Sequence, residues 1–134
     1  MQTRVISGHS PYEAEFGFSR AVVAGNRVVV AGTAPIPADG TAPPADAYGQ
    51  AKLCLALISE ALGKAGADLT SVVRTRMYLT DALYWPEVAR AHGEAFAQIR
   101  PAATAVVVKS LLDPAWLVEI EAEAISPVSS GGTT

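Results

Sequence analysis

The chain has 134 residues, half of them hydrophobic and 17% charged, with a formal net charge of −3. That length suits one domain around a single core, and the composition excludes a disordered chain. An acidic balance without a Lys/Arg run argues against a nucleic-acid partner, and a lone cysteine, Cys54, excludes an intrachain disulfide and argues against a structural zinc site.

The opening stretch MQTRVISGHSPY lacks an apolar signal core, and no run reaches the ~18 apolar residues that span a bilayer. The expectation is a cytoplasmic protein with no membrane contact. The Ser/Gly/Thr-rich tail SPVSSGGTT predicts a boundary, with one domain over 1–126 and a flexible tail over 127–134.

The segment FSRAVVAGNRVVVAGT predicts a hairpin, because two β-branched runs flank Gly25-Asn26, a pair able to take the positive φ of a tight turn. Alternation puts Phe18, Arg20 and Val22 on one face, and Ser19, Ala21 and Val23 on the other. PIPADGTAPPAD reads as a loop. A helix is predicted over 45–65, with Ala47, Ala51, Cys54, Leu55, Ile58, Leu62 and Ala65 as its apolar stripe and Gly66 as its stop. Cys54 falls on that stripe, which favours a buried thiol over a reactive one.

VVRTRMYLTD predicts a strand with Val73, Thr75, Met77 and Leu79 on its apolar face and Arg74, Arg76 and Tyr78 on the other. A second helix is predicted over 84–98, with Val88, His92, Ala95, Phe96 and Ile99 in its stripe. His92 lies on the apolar side, which favours a core or interface role over a catalytic one. Two more strands follow, over 103–109 and 117–124. In the last, Glu119, Glu121 and Glu123 share one face, opposite Val118, Ile120, Ala122 and Ala124.

The order β-β-α-β-α-β-β predicts a two-layer α+β domain, one mixed sheet with two helices on one face. The helices cannot cover the face bearing Arg74, Arg76, Tyr78, Glu119 and Glu121. Aromatics mixed with opposite charges there suit burial against another subunit, with the arginines either pairing with the glutamates or binding a ligand.

The stretches GFSRAVVAGNRVVVAGTAPI, VVRTRMYLTD and RPAATAVVV…LVEIEAEAI, spanning Ser10 to Ile125, resemble the RidA/YjgF (Rid) family, also called the endoribonuclease liver perchloric-acid-soluble protein family. The resemblance implies a chorismate-mutase-like fold and a homotrimer with clefts between subunits. It also implies hydrolysis of reactive enamines and imines, such as 2-aminoacrylate, to keto acids and ammonia. In the family, a glutamate of the EIEA strand holds the attacking water, and Glu119 matches it. Gly32 matches a backbone position of the cleft. Phe18 stands where an aromatic, usually tyrosine, lines the cleft, and Ala105 is implied to offer backbone contacts.

The family's PAR arginine, which grips a substrate carboxylate through a bidentate pair, is Ala103 here. Losing such a contact costs roughly 2–5 kcal/mol, so the resemblance points to a divergent subgroup. Arg76 and Arg20 are the candidate replacements, with Arg76 alternatively pairing with Glu119 or Glu121. The expected activity is imine or enamine hydrolysis with no metal and no organic cofactor, acting on a small molecule that carries a carboxylate. A non-catalytic ligand-binding or regulatory trimer is the alternative. The endoribonuclease implied by the family's older name is disfavoured by the acidic balance and the absence of a His pair.

Overall fold

The structure, a computed structural model, describes residues 2–126; the tail expected over 127–134 lies outside the described residues. The chain forms β1 (Thr3–Ile6), α1 (Tyr12–Phe16), β2 (Ala21–Ala24), β3 (Arg27–Thr33), α2 (Ala47–Lys64), β4 (Val72–Leu79), α3 (Trp85–Phe96), β5 (Ala102–Val107) and β6 (Val118–Ile125). All six strands join one sheet in the order β1-β2-β3-β6-β4-β5. Only β4 and β5 pair in parallel; the other neighbours are antiparallel. The expected two-layer α+β arrangement is present, with β1 and the short α1 added ahead of the hairpin. Neither segment carries enough apolar periodicity to stand out in sequence: β1 buries only Ile6, and α1 buries nothing.

Helix α2 starts where Asp46 accepts a hydrogen bond from the Gly49 amide at 2.8 Å, which satisfies one of the donors a helix leaves free at its start. It ends in a paired closure: the Gly66 amide donates to Gly63 O and the Ala67 amide to Leu62 O. Gly66 has φ +81°, the left-handed conformation this closure uses. The whole expected stripe, from Ala47 through Cys54 to Ala65, is buried. It packs on β6 and β3 and alongside α3.

Gln50 is the unforeseen member of that interface, fully buried among apolar neighbours. Its amide nitrogen donates to Pro44 O and Ala115 O, both at 2.9 Å, and its carbonyl accepts from the Leu117 amide at 2.7 Å. One side chain thus ties the loop before α2 to the loop that delivers β6.

Two local expectations are corrected. Val73 is exposed, and Val72 takes the buried place, because the β4–β6 register shifts between Val72 and Arg74 and an extra residue in a strand reverses the alternation. At the hairpin only Gly25 takes positive φ (63°); Asn26 does not. Beyond Arg74 the alternation holds: Thr75, Met77 and Leu79 face the helices, while Arg76 and Tyr78 face away.

Cys54 is buried, and that burial pushes its thiol well above the ordinary range, in keeping with a core role. His92 packs against Phe96, with its Nε2 2.9 Å from Thr75 Oγ1. Burial lowers its pKa and so disfavours its charged form, in keeping with a packed, hydrogen-bonded side chain.

Candidate functional site

The helix-free face of the sheet is organised by the β4–β6 register, which sets Tyr78 opposite Glu119, Arg76 opposite Glu121 and Arg74 opposite Glu123. Directly opposed side chains on an antiparallel pair lie close enough to interact, and these do. Glu123 accepts from Arg27 Nη2 at 2.5 Å and is 3.6 Å from both Arg74 and Arg76. Glu121 is 3.8 Å from Arg76 and accepts the Tyr78 hydroxyl hydrogen bond. Arg76 therefore sits in a cross-strand ladder, paired with Glu121 and Glu123, and forms no ion pair with Glu119.

Glu119 stands apart at the end of this row. Among the described residues it makes no ion pair and no side-chain hydrogen bond. Burial raises its pKa, with Glu121 adding to the rise and the positive charge of Arg20 opposing it. An uncommitted, partly desolvated carboxylate is suited to holding a water and accepting its proton.

Gly32 is what makes room for this carboxylate. The β3–β6 register shifts between Val30 and Thr33, so that 31–32 fall at an irregularity of the strand. A β-carbon on residue 32 would lie 2.5 Å from Glu119 Oε2, closer than any real contact. The glycine thus leaves the carboxylate in a place from which a β-carbon would push it.

Arg20 completes the group. Its Nη2 donates to Gly32 O at 2.5 Å. Its Nε is buried without a partner, and no carboxylate of the described residues lies within 4 Å. Burial lowers its pKa, opposed by the charges of Glu13 and then Glu119. Glu13 is held by the Gly8 amide, which both of its oxygens accept at 3.0–3.1 Å. Phe18, two residues before Arg20, is exposed.

Ala103 and Ala105 are not brought to this group. Parallel pairing sets Ala103 beside Thr75 and Ala105 beside Met77, so both side chains lie on the helix side of the sheet. Glu119 lies on the other side, and β4 intervenes between β6 and β5. Every residue of β5 is exposed. Within one chain the expected residues form three sets: Arg20, Gly32 and Glu119 together, with Phe18 at their edge in sequence; Arg76 in the ladder; Ala103 and Ala105 on the free edge. No cluster of three or more potential metal ligands occurs among the described residues, nor is any helix there long and apolar enough to cross a membrane.

The six-stranded mixed sheet, helices on one face, defines an α+β domain of the YjgF-like, chorismate-mutase-like kind. The chain belongs to the Endoribonuclease L-PSP family, also called RidA/YjgF, whose model matches residues 8–126. A crystal structure of a Mycobacterium tuberculosis member of the YjgF/YER057c/UK114 family superposes with a TM-score of 0.85 at 44% identity, covering 92% of this chain and 99% of that one. An uncharacterized Streptomyces coelicolor protein is 43% identical over 121 residues, 90% of each chain. A RutC family protein of Pyrococcus abyssi is 36% identical over 106 residues, 78% of this chain and 83% of the relative.

Proposed function

We propose that the protein hydrolyses an imine, an enamine or a related activated small metabolite in clefts between the subunits of a homotrimer. The observation that carries this reading is the contact of Glu119 with Gly32: a partly buried carboxylate free of internal partners among the described residues, lying where a β-carbon on residue 32 would displace it. Adding water to a C=N carbon needs one positioned water, a base and little else. Glu119 would hold and deprotonate the water, and the rise in its pKa brings it closer to the proton it must take.

An anionic substrate group needs a guanidinium, and Ala103 offers none. Arg76 and Arg20 are the candidates. The geometry favours Arg20, because Arg76 is engaged by Glu121 and Glu123 whereas Arg20 has no carboxylate of the described residues within 4 Å and lies beside Gly32. Phe18 would supply an apolar wall.

The trimer is supported by the sheet face itself. Val5 and Val29 stand exposed on it beside the charged ladder, and neither helix covers that side. Ala103 and Ala105, on the free edge, would face the Glu119 group only across a subunit boundary.

The test is ammonia release from 2-aminoacrylate and from bulkier imines generated in situ, for the parent and for Glu119→Gln. Turnover by the parent that Glu119→Gln abolishes is the expected result. A second reading, a ligand-binding trimer without turnover, is favoured by one observation, the alanine at 103; binding of keto acids without ammonia release would select it.

A further inference from the structure

A cavity of about 360 Å³ lies on the helix side of the sheet, between the segment 7–12, the loop 34–40 and helix α2. It adjoins the Glu119 group through Arg20, which lines it, while Glu119, Gly32 and Phe18 do not. Ala34, Ile36, Leu57 and Ala61 give it apolar walls, Arg20 and Thr33 belong to its lining, and Ser7, His9, Ser10, Tyr12, Glu60 and Lys64 complete the polar part. A cavity of this volume with apolar walls and polar groups converging on it has the character of a small-ligand pocket.

Arg20 is the feature that calls for a ligand. A guanidinium taken out of water loses hydration that only a paired anion restores. Here the side chain is half-buried with one hydrogen bond, to Gly32 O; its Nε is buried without a partner, and no carboxylate of the described residues lies within 4 Å. Glu13, its nearest electrostatic counterweight, is committed to the Gly8 amide. At the solvent side, Lys64 adds a second positive charge. Glu60, 3.1 Å from His9 and 3.7 Å from Lys64, is shared between them. Ile36 remains 44% exposed although it lines the cavity, so an occupant would cover apolar surface that the protein itself leaves open.

We propose that this cavity binds a small organic monocarboxylate, with its carboxylate on Arg20 and a branched or aromatic apolar body against Ile36, Leu57 and Ala61. The site rests on Arg20 being free to take a carboxylate, as in the reading above, and on no chemistry at Glu119. Because Arg20 also holds Gly32 O, an acid in the cavity pulls on the backbone that shapes the Glu119 contact.

The test is titration calorimetry of the full chain with 4-methylpentanoate and with the neutral 4-methylpentan-1-ol. The acid is expected to bind at least tenfold more tightly than the alcohol. Leu57→Trp, which fills the cavity and touches none of Glu119, Gly32 or Phe18, is expected to weaken the acid at least tenfold, and so is Arg20→Met. Equal affinity for acid and alcohol, unchanged affinity in Leu57→Trp, or no binding by the parent overturns the proposal. Should Arg20→Met fail to fold, Leu57→Trp and the acid–alcohol ratio decide by themselves. The readout is binding, so a parent that binds the acid as described but releases no ammonia removes the hydrolase reading alone.

Discussion

Gly32 and Glu119 meet where the β3–β6 register shifts, and a β-carbon on residue 32 would come within 2.5 Å of the Glu119 carboxylate. The atom in the way is the far end of a flexible side chain. Gly32→Ala is therefore expected to leave the fold and the assembly intact, to shift the denaturation midpoint by less than about 1 kcal/mol equivalent, and to cut hydrolysis at least tenfold by turning the carboxylate away. Parallel urea titrations and ammonia assays check this. Full activity in Gly32→Ala would mean that the carboxylate's position is unimportant.

Glu119→Gln carries a stability sign as well as an activity sign. The folded-state pKa of Glu119 is raised by burial, so between the unfolded and folded values the native state binds more protons. Its contribution to stability is greatest at acid pH and is lost as pH rises through the folded pKa. Glutamine removes that penalty, so above this window the variant is expected to be at least as stable as the parent while hydrolysis is lost. Loss of stability at pH 8 in Glu119→Gln would place the residue among the structural ion pairs.

His92 runs the opposite way. Burial lowers its pKa, so the unfolded chain binds the proton more readily. Stability is present above the unfolded value of about 6.5 and declines as pH falls through it. His92→Gln is expected to flatten the parent's loss of stability between about pH 7 and pH 5, measured by thermal melts across that range; an unchanged slope would show that other groups set it.

Gln50 holds three backbone groups at one buried point. Gln50→Leu keeps the volume and strands all three, at an expected cost of about 2–4 kcal/mol by urea denaturation. A loss below about 1 kcal/mol would mean that the loops before α2 and before β6 find other partners.

Light scattering at micromolar concentration is expected to give about three times the 13.9 kDa chain mass. Ala103→Arg is expected to preserve that mass and to raise turnover of 2-aminoacrylate. A stable monomer would remove the cleft between subunits; an assembled Ala103→Arg variant with no gain would mean that the rest of the site has changed with the alanine.

Local pattern carried much of this molecule. The α2 stripe, the alternation of β6 and the stop at Gly66 are properties of neighbouring residues, set by the helical and extended periods, and all were legible in the sequence. Glu119 and Gly32 could be singled out through resemblance, on motifs that survive in this chain. What the sequence could not decide was which charge meets which. Arg76 and Arg20 look alike in sequence as unpaired guanidiniums, yet the β4–β6 register places Arg76 between Glu121 and Glu123, and the fold around Arg20 brings it Gly32 O and no carboxylate of the described residues within 4 Å. Register joins residues over forty positions apart, and a shift at Val72–Arg74 is enough to expose Val73. The buried amide of Gln50 was hidden for the same reason: its partners lie on two loops that only tertiary packing brings to α2. Periodicity decides which face a side chain takes, while the partner it finds there depends on long-range pairing that no local window contains.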